Sequence, residues 1–207
     1  VPDLSILEEG YLKFLPGTIC ALFGRNGAGK STLLKVAAGQ IQPQTGLTII
    51  NGKRIYNKSV NKRFSQIGYL PQDSMLPDSF PVYRLLKSFP DTTELKKDPL
   101  IKKITTQKIH ELSGGERRYL EISLLFSLKR SYFLLDEPFT GVEPLVIESL
   151  IDRIKQETRK GRGILMTNHY HQYVTEVADM AYFMQNKQCY RLDNDFKSDL
   201  IKLGYVR

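Results

Sequence analysis

Along this chain, short apolar runs alternate with longer segments whose apolar residues recur every three or four positions. Thr18 to Phe23 (TICALF) is apolar, β-rich and followed by a glycine, which predicts a short buried strand. STLLKVAAG comes next with apolar residues at helical spacing, and Gly39 is placed to cap that helix. Further strands are predicted at Leu47 to Ile50 (LTII), at Ile67 to Leu70 (IGYL), within Ser131 to Pro138 (SYFLLDEP), at Gly163 to His169 (GILMTNH) and at Met180 to Met184 (MAYFM). Between two of them, Glu143 to Arg159 carries Leu145, Ile147, Leu150, Ile151 and Ile154 at the spacing of one helix face. Strand and helix in alternation predict an α/β fold around a mainly parallel sheet. The stretch from about Gln72 to His110 breaks the pattern, with prolines at 77, 81, 90 and 99, many lysines and little strand signal. It predicts a small helical insertion, placed at about 73–130 within a single domain spanning 1–207.

Composition narrows this picture. A chain of 207 residues with 41% apolar content is long enough for one substantial core. No apolar run approaches the roughly 20 residues of a membrane span, so a membrane role would be peripheral. No signal-peptide pattern opens the sequence at Val1. Cys20 and Cys189 lie in apolar, strand-like settings and read as core residues of a reduced cytosol rather than a disulfide or metal pair. A formal charge of +8 and a pI near 9.4 favour an acidic partner: a nucleotide, an anionic lipid surface or RNA. A solvated basic surface is the plain alternative.

Three segments carry chemistry. Between the first strand and its helix lies Gly24-Arg25-Asn26-Gly27-Ala28-Gly29-Lys30-Ser31, which fits the phosphate-loop pattern G-x-x-x-x-G-K-[ST]. Glycines let the backbone wrap so that N–H groups converge on an anion, and the helix after them points its positive dipole end at the same place. Lys30 can then reach the outer phosphates, and the Ser31 hydroxyl can ligate Mg²⁺. In YFLLDE, Asp136 ends a strand at the edge where open α/β sheets bind ligands, a position from which a carboxylate can hold Mg²⁺. Its neighbour Glu137 can orient and deprotonate a water. LSGGE, Leu112 to Glu116, puts a serine and two glycines before a helical run with Leu120, Leu124, Leu125 and Leu128, a second anion-binding helix start or a plain serine cap.

In the order GRNGAGKS, Gln72, LSGGE, FLLDEP, His169, the chain resembles an ATP-binding cassette (ABC) ATPase over nearly its whole length. The resemblance implies a P-loop NTPase fold with a small helical subdomain, ATP and Mg²⁺ as cofactors, and ATP hydrolysis. It implies that ATP is held by Gly24, Arg25, Asn26, Gly27, Ala28, Gly29, Lys30, Ser31 and Thr32. Across a head-to-tail homodimer the site is completed by Ser113, Gly114, Gly115 and Glu116 of the second copy. Ser31, Gln72 and Asp136 would organise the metal, Glu137 would be the base, and His169, Gln72 and Lys30 would complete the catalytic set. Two positions depart from the family. Glu143 in FTGVEP stands where an aspartate is usual, and the usual adenine-stacking aromatic would fall near Val1, with Tyr11 too close to the loop to replace it.

The resemblance further implies a membrane transporter. An integral permease subunit would be a separate molecule, and the cassette would lie in the cytoplasm on the inner face of the membrane. LLDEPFTGVEP and GRNGAGKST look like cassettes of lipopolysaccharide export and branched-chain amino acid uptake. SFPVYRLL (Ser79 to Leu86) is a candidate apolar surface for the permease or a piece of subdomain packing. The lysines at 87, 96, 97, 102, 103 and 108 could meet anionic lipid or simply be solvated. The alternative is a soluble ABC ATPase acting on ribosomes, RNA or DNA. The basic pI fits it, but a single cassette does not, and only about 80 residues without sustained heptads separate Lys30 from Ser113. Nucleic acid is therefore not the expected partner.

Overall fold

A computed structural model of the chain describes residues 9–43, 45–46, 48–55, 65–167, 171–193 and 195–205. Nine strands and seven α-helices are placed among them: β1 (Glu9–Gly10), β2 (Ile19–Gly24), α1 (Lys30–Ala38), β3 (Thr48–Ile50), β4 (Lys53–Ile55), β5 (Ile67–Leu70), α2 (Val82–Ser88), α3 (Pro99–Ile104), α4 (Gly114–Ser127), β6 (Tyr132–Asp136), α5 (Pro144–Arg159), β7 (Gly163–Thr167), α6 (His171–Val177), β8 (Met180–Gln185), β9 (Gln188–Arg191) and α7 (Phe196–Lys202). Single 3₁₀ turns lie at Leu95–Lys97 and Ile109–Glu111.

Seven strands form one sheet in the order β1-β9-β8-β2-β7-β6-β5, with every pairing parallel except β8 with β9. Strands β2, β6 and β7 inside the sheet, and β5 at its edge, are buried along their whole length, as parallel strands covered on both faces must be. Their side chains divide by the period of two. Ile19, Ala21, Phe23, Phe133, Leu135, Ile164 and Met166 fill one core layer. Cys20, Leu22, Tyr69, Leu134, Leu165 and Met184 fill the layer on the opposite face, where Leu34 and Ala38 of α1 join them. Both cysteines are buried free thiols, and burial pushes Cys189 up to about 11, so they act as apolar core residues.

Among the described residues the predicted elements fall where expected, with three differences of detail; positions 168 and 169 of the strand predicted at Gly163 to His169 lie outside those residues. The β3 segment pairs antiparallel with β4 in a separate two-stranded sheet. On α5, Ile147, Leu150, Ile151 and Ile154 are buried, but Leu145 is 77% exposed, because at about 3.6 residues per turn it lies on the opposite side of the helix from those four. The strand predicted at Met180 runs one residue further, to Gln185. Between β5 and β6 the chain forms α2, α3 and α4, an arm without sheet structure except for a bridge between Pro81 and Lys108. Within it Val82, Leu85 and Leu86 are buried, whereas Phe80, Tyr83 and Met75 face outward. Lys87 lies over the Tyr83 ring at 5.6 Å. The lysines at 87, 96, 97, 102, 103 and 108 are all exposed.

Candidate active site

Strand register builds the site. Leu22 of β2 is level with Thr167 of β7, and Thr167 is level with Asp136 of β6. The three strands therefore end together at one sheet edge, and their C-terminal residues meet there. Alternation along β5, β6 and β7 then turns Tyr69, Asp136 and Thr167 to the α1 face of the sheet.

The loop after β2 depends on glycine where its conformation leaves no room for a side chain. Gly24 has φ 150°, and a Cβ there would stand 2.5 Å from the Met184 carbonyl oxygen. Gly29 caps α1 with φ 100° and no side-chain cap, so the helix start is available to an anion. Lys30, 6% exposed, folds back under the loop and donates from Nζ to the carbonyls of Gly24 (2.7 Å) and Arg25 (3.2 Å). Burial lowers its pKa, and the charges of Glu137 and Asp136 oppose that shift. The amine and both carboxylates thus lie within one electrostatic field. Arg25, Asn26 and Gly27 are exposed along the loop, while Ala28, Ser31 and Thr32 are half-buried around the first turn of α1.

Asp136 is almost fully buried. Its Oδ1 accepts from the Thr167 hydroxyl at 2.7 Å, and its Oδ2 accepts from the Tyr69 hydroxyl at 3.3 Å. Burial first, and then the Asp136 charge, raises the Tyr69 phenol, so it stays a donor. Glu137 is held in a left-handed conformation, φ 48°, uncommon for a residue with a side chain. Its N–H donates to Thr167 Oγ1 at 3.0 Å, and its Oε2 accepts from Thr140 Oγ1 at 3.1 Å. One buried threonine hydroxyl therefore serves both acids. Mg²⁺ takes hard oxygen donors, usually one or two carboxylates together with substrate phosphates. A buried carboxylate at 136 on the α1 face and a hydroxyl at 31 fit that donor set. Gln72 is exposed just beyond β5, and His169 lies outside the described residues.

Ser113 and Glu116 form a reciprocal capping box at the start of α4, with Glu116 N–H to Ser113 Oγ at 3.1 Å and Ser113 N–H to Glu116 Oε2 at 3.0 Å. Lys103, at 2.9 Å from Glu116, and the Ser113 N–H lower the pKa of that carboxyl. Gly115 is buried against Glu143, whose carboxylate occupies the space a side chain at 115 would need, and Gly114 lies close under the Gly141 carbonyl. The unusual Glu143 thus packs on the LSGGE turn of its own chain.

Several residues of the site carry no motif. Thr167, Tyr69 and Thr140 are bonded to the acids as described. The Tyr205 hydroxyl donates to the Gly24 carbonyl at 3.3 Å, and its ring stands edge-on to Phe23 and Phe183. Burial, with Glu137 adding to it, raises the Tyr205 phenol. Period-two parity could have marked Thr167 as a partner of Asp136 once the strands were adjacent. Nothing local marks Tyr205.

Comparison with known proteins agrees with this fold. The family model described as ABC transporter matches residues 7–140. The lipopolysaccharide export system ATP-binding protein LptB of Haemophilus influenzae is 32% identical over 194 residues, covering 87% of this chain and 80% of that protein. A putative ABC transporter ATP-binding protein of Pyrococcus horikoshii is 29% identical over 214 residues, covering 91% of this chain and 81% of its own length. Among solved structures, an ATP-binding cassette of an ABC transporter superposes with a TM-score of 0.85 at 22% identity, over 99% of this chain and 94% of that one. An ATP-binding subunit of an ABC transporter gives 0.83 at 24% identity, over 99% and 90%.

Proposed function

The chain belongs to the ABC transporter family as one of its ATP-binding ATPases, and from that premise we propose that it is the cassette that powers a membrane transporter. The observation that carries this reading is the placing of Lys30, folded under its loop, and of the buried Asp136 and Glu137 at the edge formed by β2, β7 and β6. ATP phosphates lie in the Gly24–Thr32 loop, and Lys30 leaves the Gly24 and Arg25 carbonyls to neutralise them. Ser31, Asp136 and Gln72 would hold Mg²⁺, which would spread phosphate charge when bound. Glu137, fixed by Thr167 and Thr140, takes the proton of the attacking water. Catalysis is then chiefly positioning and charge stabilisation.

Ser113, Gly114, Gly115 and Glu116 of a second copy close over the γ-phosphate, and His169 contacts it. Closure and hydrolytic release of this homodimer drive a separate integral permease, docked at the outward face of Phe80, Tyr83 and Met75. Among the described residues no helix is long and apolar enough to cross a membrane, and the transporter reading puts the cassette peripherally on the cytoplasmic face.

Glu137→Gln tests the reading. It is expected to bind ATP, to lose about 10²- to 10⁴-fold in turnover, and to accumulate as a dimer in light scattering. Normal phosphate release by that variant rules out Glu137 as the base. Affinity capture from detergent-solubilised cells tests the transporter assignment. A stoichiometric integral membrane protein supports it, and ribosomal partners alone transfer the protein to the soluble class.

A further inference from the structure

Arg118 lies on α4, outside every phosphate-binding motif, yet it is only 6% exposed and its guanidinium is fully engaged. Nη2 donates to the carbonyls of Asp136 (2.9 Å) and Glu137 (3.0 Å), and Nε donates to the Pro138 carbonyl (3.4 Å). Nη1 donates to the Pro71 carbonyl (3.0 Å) and to Glu121 Oε2 (3.1 Å). A guanidinium has five N–H donors, and these five bonds use them all. Glu121, also buried, accepts through Oε1 from the Ser74 hydroxyl. One buried ion pair therefore joins three segments: the turn that carries Glu137, the loop after β5 that carries Gln72, and the helix that begins after Ser113.

We propose that Arg118, with Glu121, is a positioning pair that makes the conformation of Glu137 depend on the conformation of the Gln72 loop. The inference rests on Glu137 acting as the base. A buried guanidinium cannot exchange a lost carbonyl for bulk water, so a shift of Pro71 or Ser74 forces the pair to reorganise. The acceptors that then move are the carbonyls of Asp136 and Glu137, either side of the left-handed φ at 137. Stability alone is a poor explanation for such a pair, since replacing both members of a buried ion pair by apolar residues of similar size is often neutral or stabilising. Arg118 acts only through the backbone that carries Glu137, not on nucleotide.

The test compares Arg118→Met, Glu121→Met, the double variant and Ser74→Ala, each measured for melting temperature, ATP affinity by calorimetry and turnover by phosphate release. Each single Met variant strands a buried charge and is expected to melt early. The double variant is expected to recover most of that loss and to bind ATP as the parent does. Its turnover stays about 10- to 100-fold low, the range that small misplacements of a reacting group produce. Ser74→Ala removes the bond from the loop to Glu121, and with it a long bond from the exposed Leu76 N–H, while Arg118 keeps Pro71; it is expected to lower turnover with melting temperature and affinity nearly unchanged. A double variant that recovers both melting temperature and turnover shows a packing role and overturns the proposal. Should the double variant not fold, Ser74→Ala decides alone, and parental turnover there overturns it. Glu137→Gln is run beside them. If it turns over ATP normally, the base assignment has failed; if it is inactive while the double variant is fully active, only the positioning role has failed.

Discussion

Replacing Thr167 by valine changes almost no volume and removes one hydroxyl, so it isolates what that hydroxyl does. The side chain is fully buried. It donates to Asp136 Oδ1 at 2.7 Å and accepts from the Glu137 N–H at 3.0 Å. A hydrogen bond to a charged group contributes about 1.5–3 kcal/mol, and taking the acceptor from a buried N–H costs about 1–3 kcal/mol. Asp136 keeps its bond from Tyr69, which favours the lower part of both ranges, so the expected loss is about 3 kcal/mol. For a chain of this size that lowers the melting temperature by about 6–12 °C. Turnover should fall by about 10- to 100-fold, because Glu137 loses an anchor of its left-handed backbone. Thr167→Ser should restore most of both losses. Calorimetric melting and steady-state phosphate release on the three proteins check this. A Thr167→Val protein that melts within about 2 °C of the parent and hydrolyses ATP at the parental rate refutes the account.

Two further predictions concern the loop. Burial lowers the Lys30 pKa from the ordinary 10.5, so below 10.5 the folded chain binds fewer protons there than the unfolded one, and this contribution to stability rises with pH through that window. ATP phosphates favour the ammonium, so ATP binding should take up a proton in the same window and weaken as pH rises through it. Titration calorimetry in two buffers of different ionisation enthalpy reads the uptake, and equal heats at alkaline pH, unchanged by Lys30→Met, refute it. Gly24→Ala forces a Cβ to 2.5 Å from the Met184 carbonyl at φ 150°. It should cost about 3 kcal/mol or more and abolish ATP binding at micromolar nucleotide, with parental melting and binding as the contrary result.

What could be read from the sequence was what is local. The β5 strand IGYL, the Gly39 cap with φ 82° and the helix from Pro144 arise from apolar period and terminal residues. The glycine-rich loop before α1, the acids at the end of β6 and the LSGGE cap were legible as local structure because each is built from residues consecutive in the chain. The residues that hold those groups were not. Tyr69, Thr167 and Tyr205 act on partners 67, 31 and 181 positions away, and only the strand order makes them neighbours. Arg118 and Glu121 were hidden because a charged i,i+3 pair on a helix usually marks a solvated face, whereas here both are buried.

The sheet order also bears on how the protein is made. β2, the strand that launches the phosphate loop, is synthesised long before either of its neighbours, β7 and β8. Until Met184 has left the ribosome, β2 lacks the partner that runs beside Phe23 and Gly24, and the Tyr205 bond to the Gly24 carbonyl forms later still. Such non-local pairings close large loops and form slowly. The exposed apolar edge of β2 is therefore a hazard that lasts through most of the translation of this domain. On the proposed function, nucleotide affinity should arrive only once β7 and β8 are in place, and a product interrupted before them should bind no ATP.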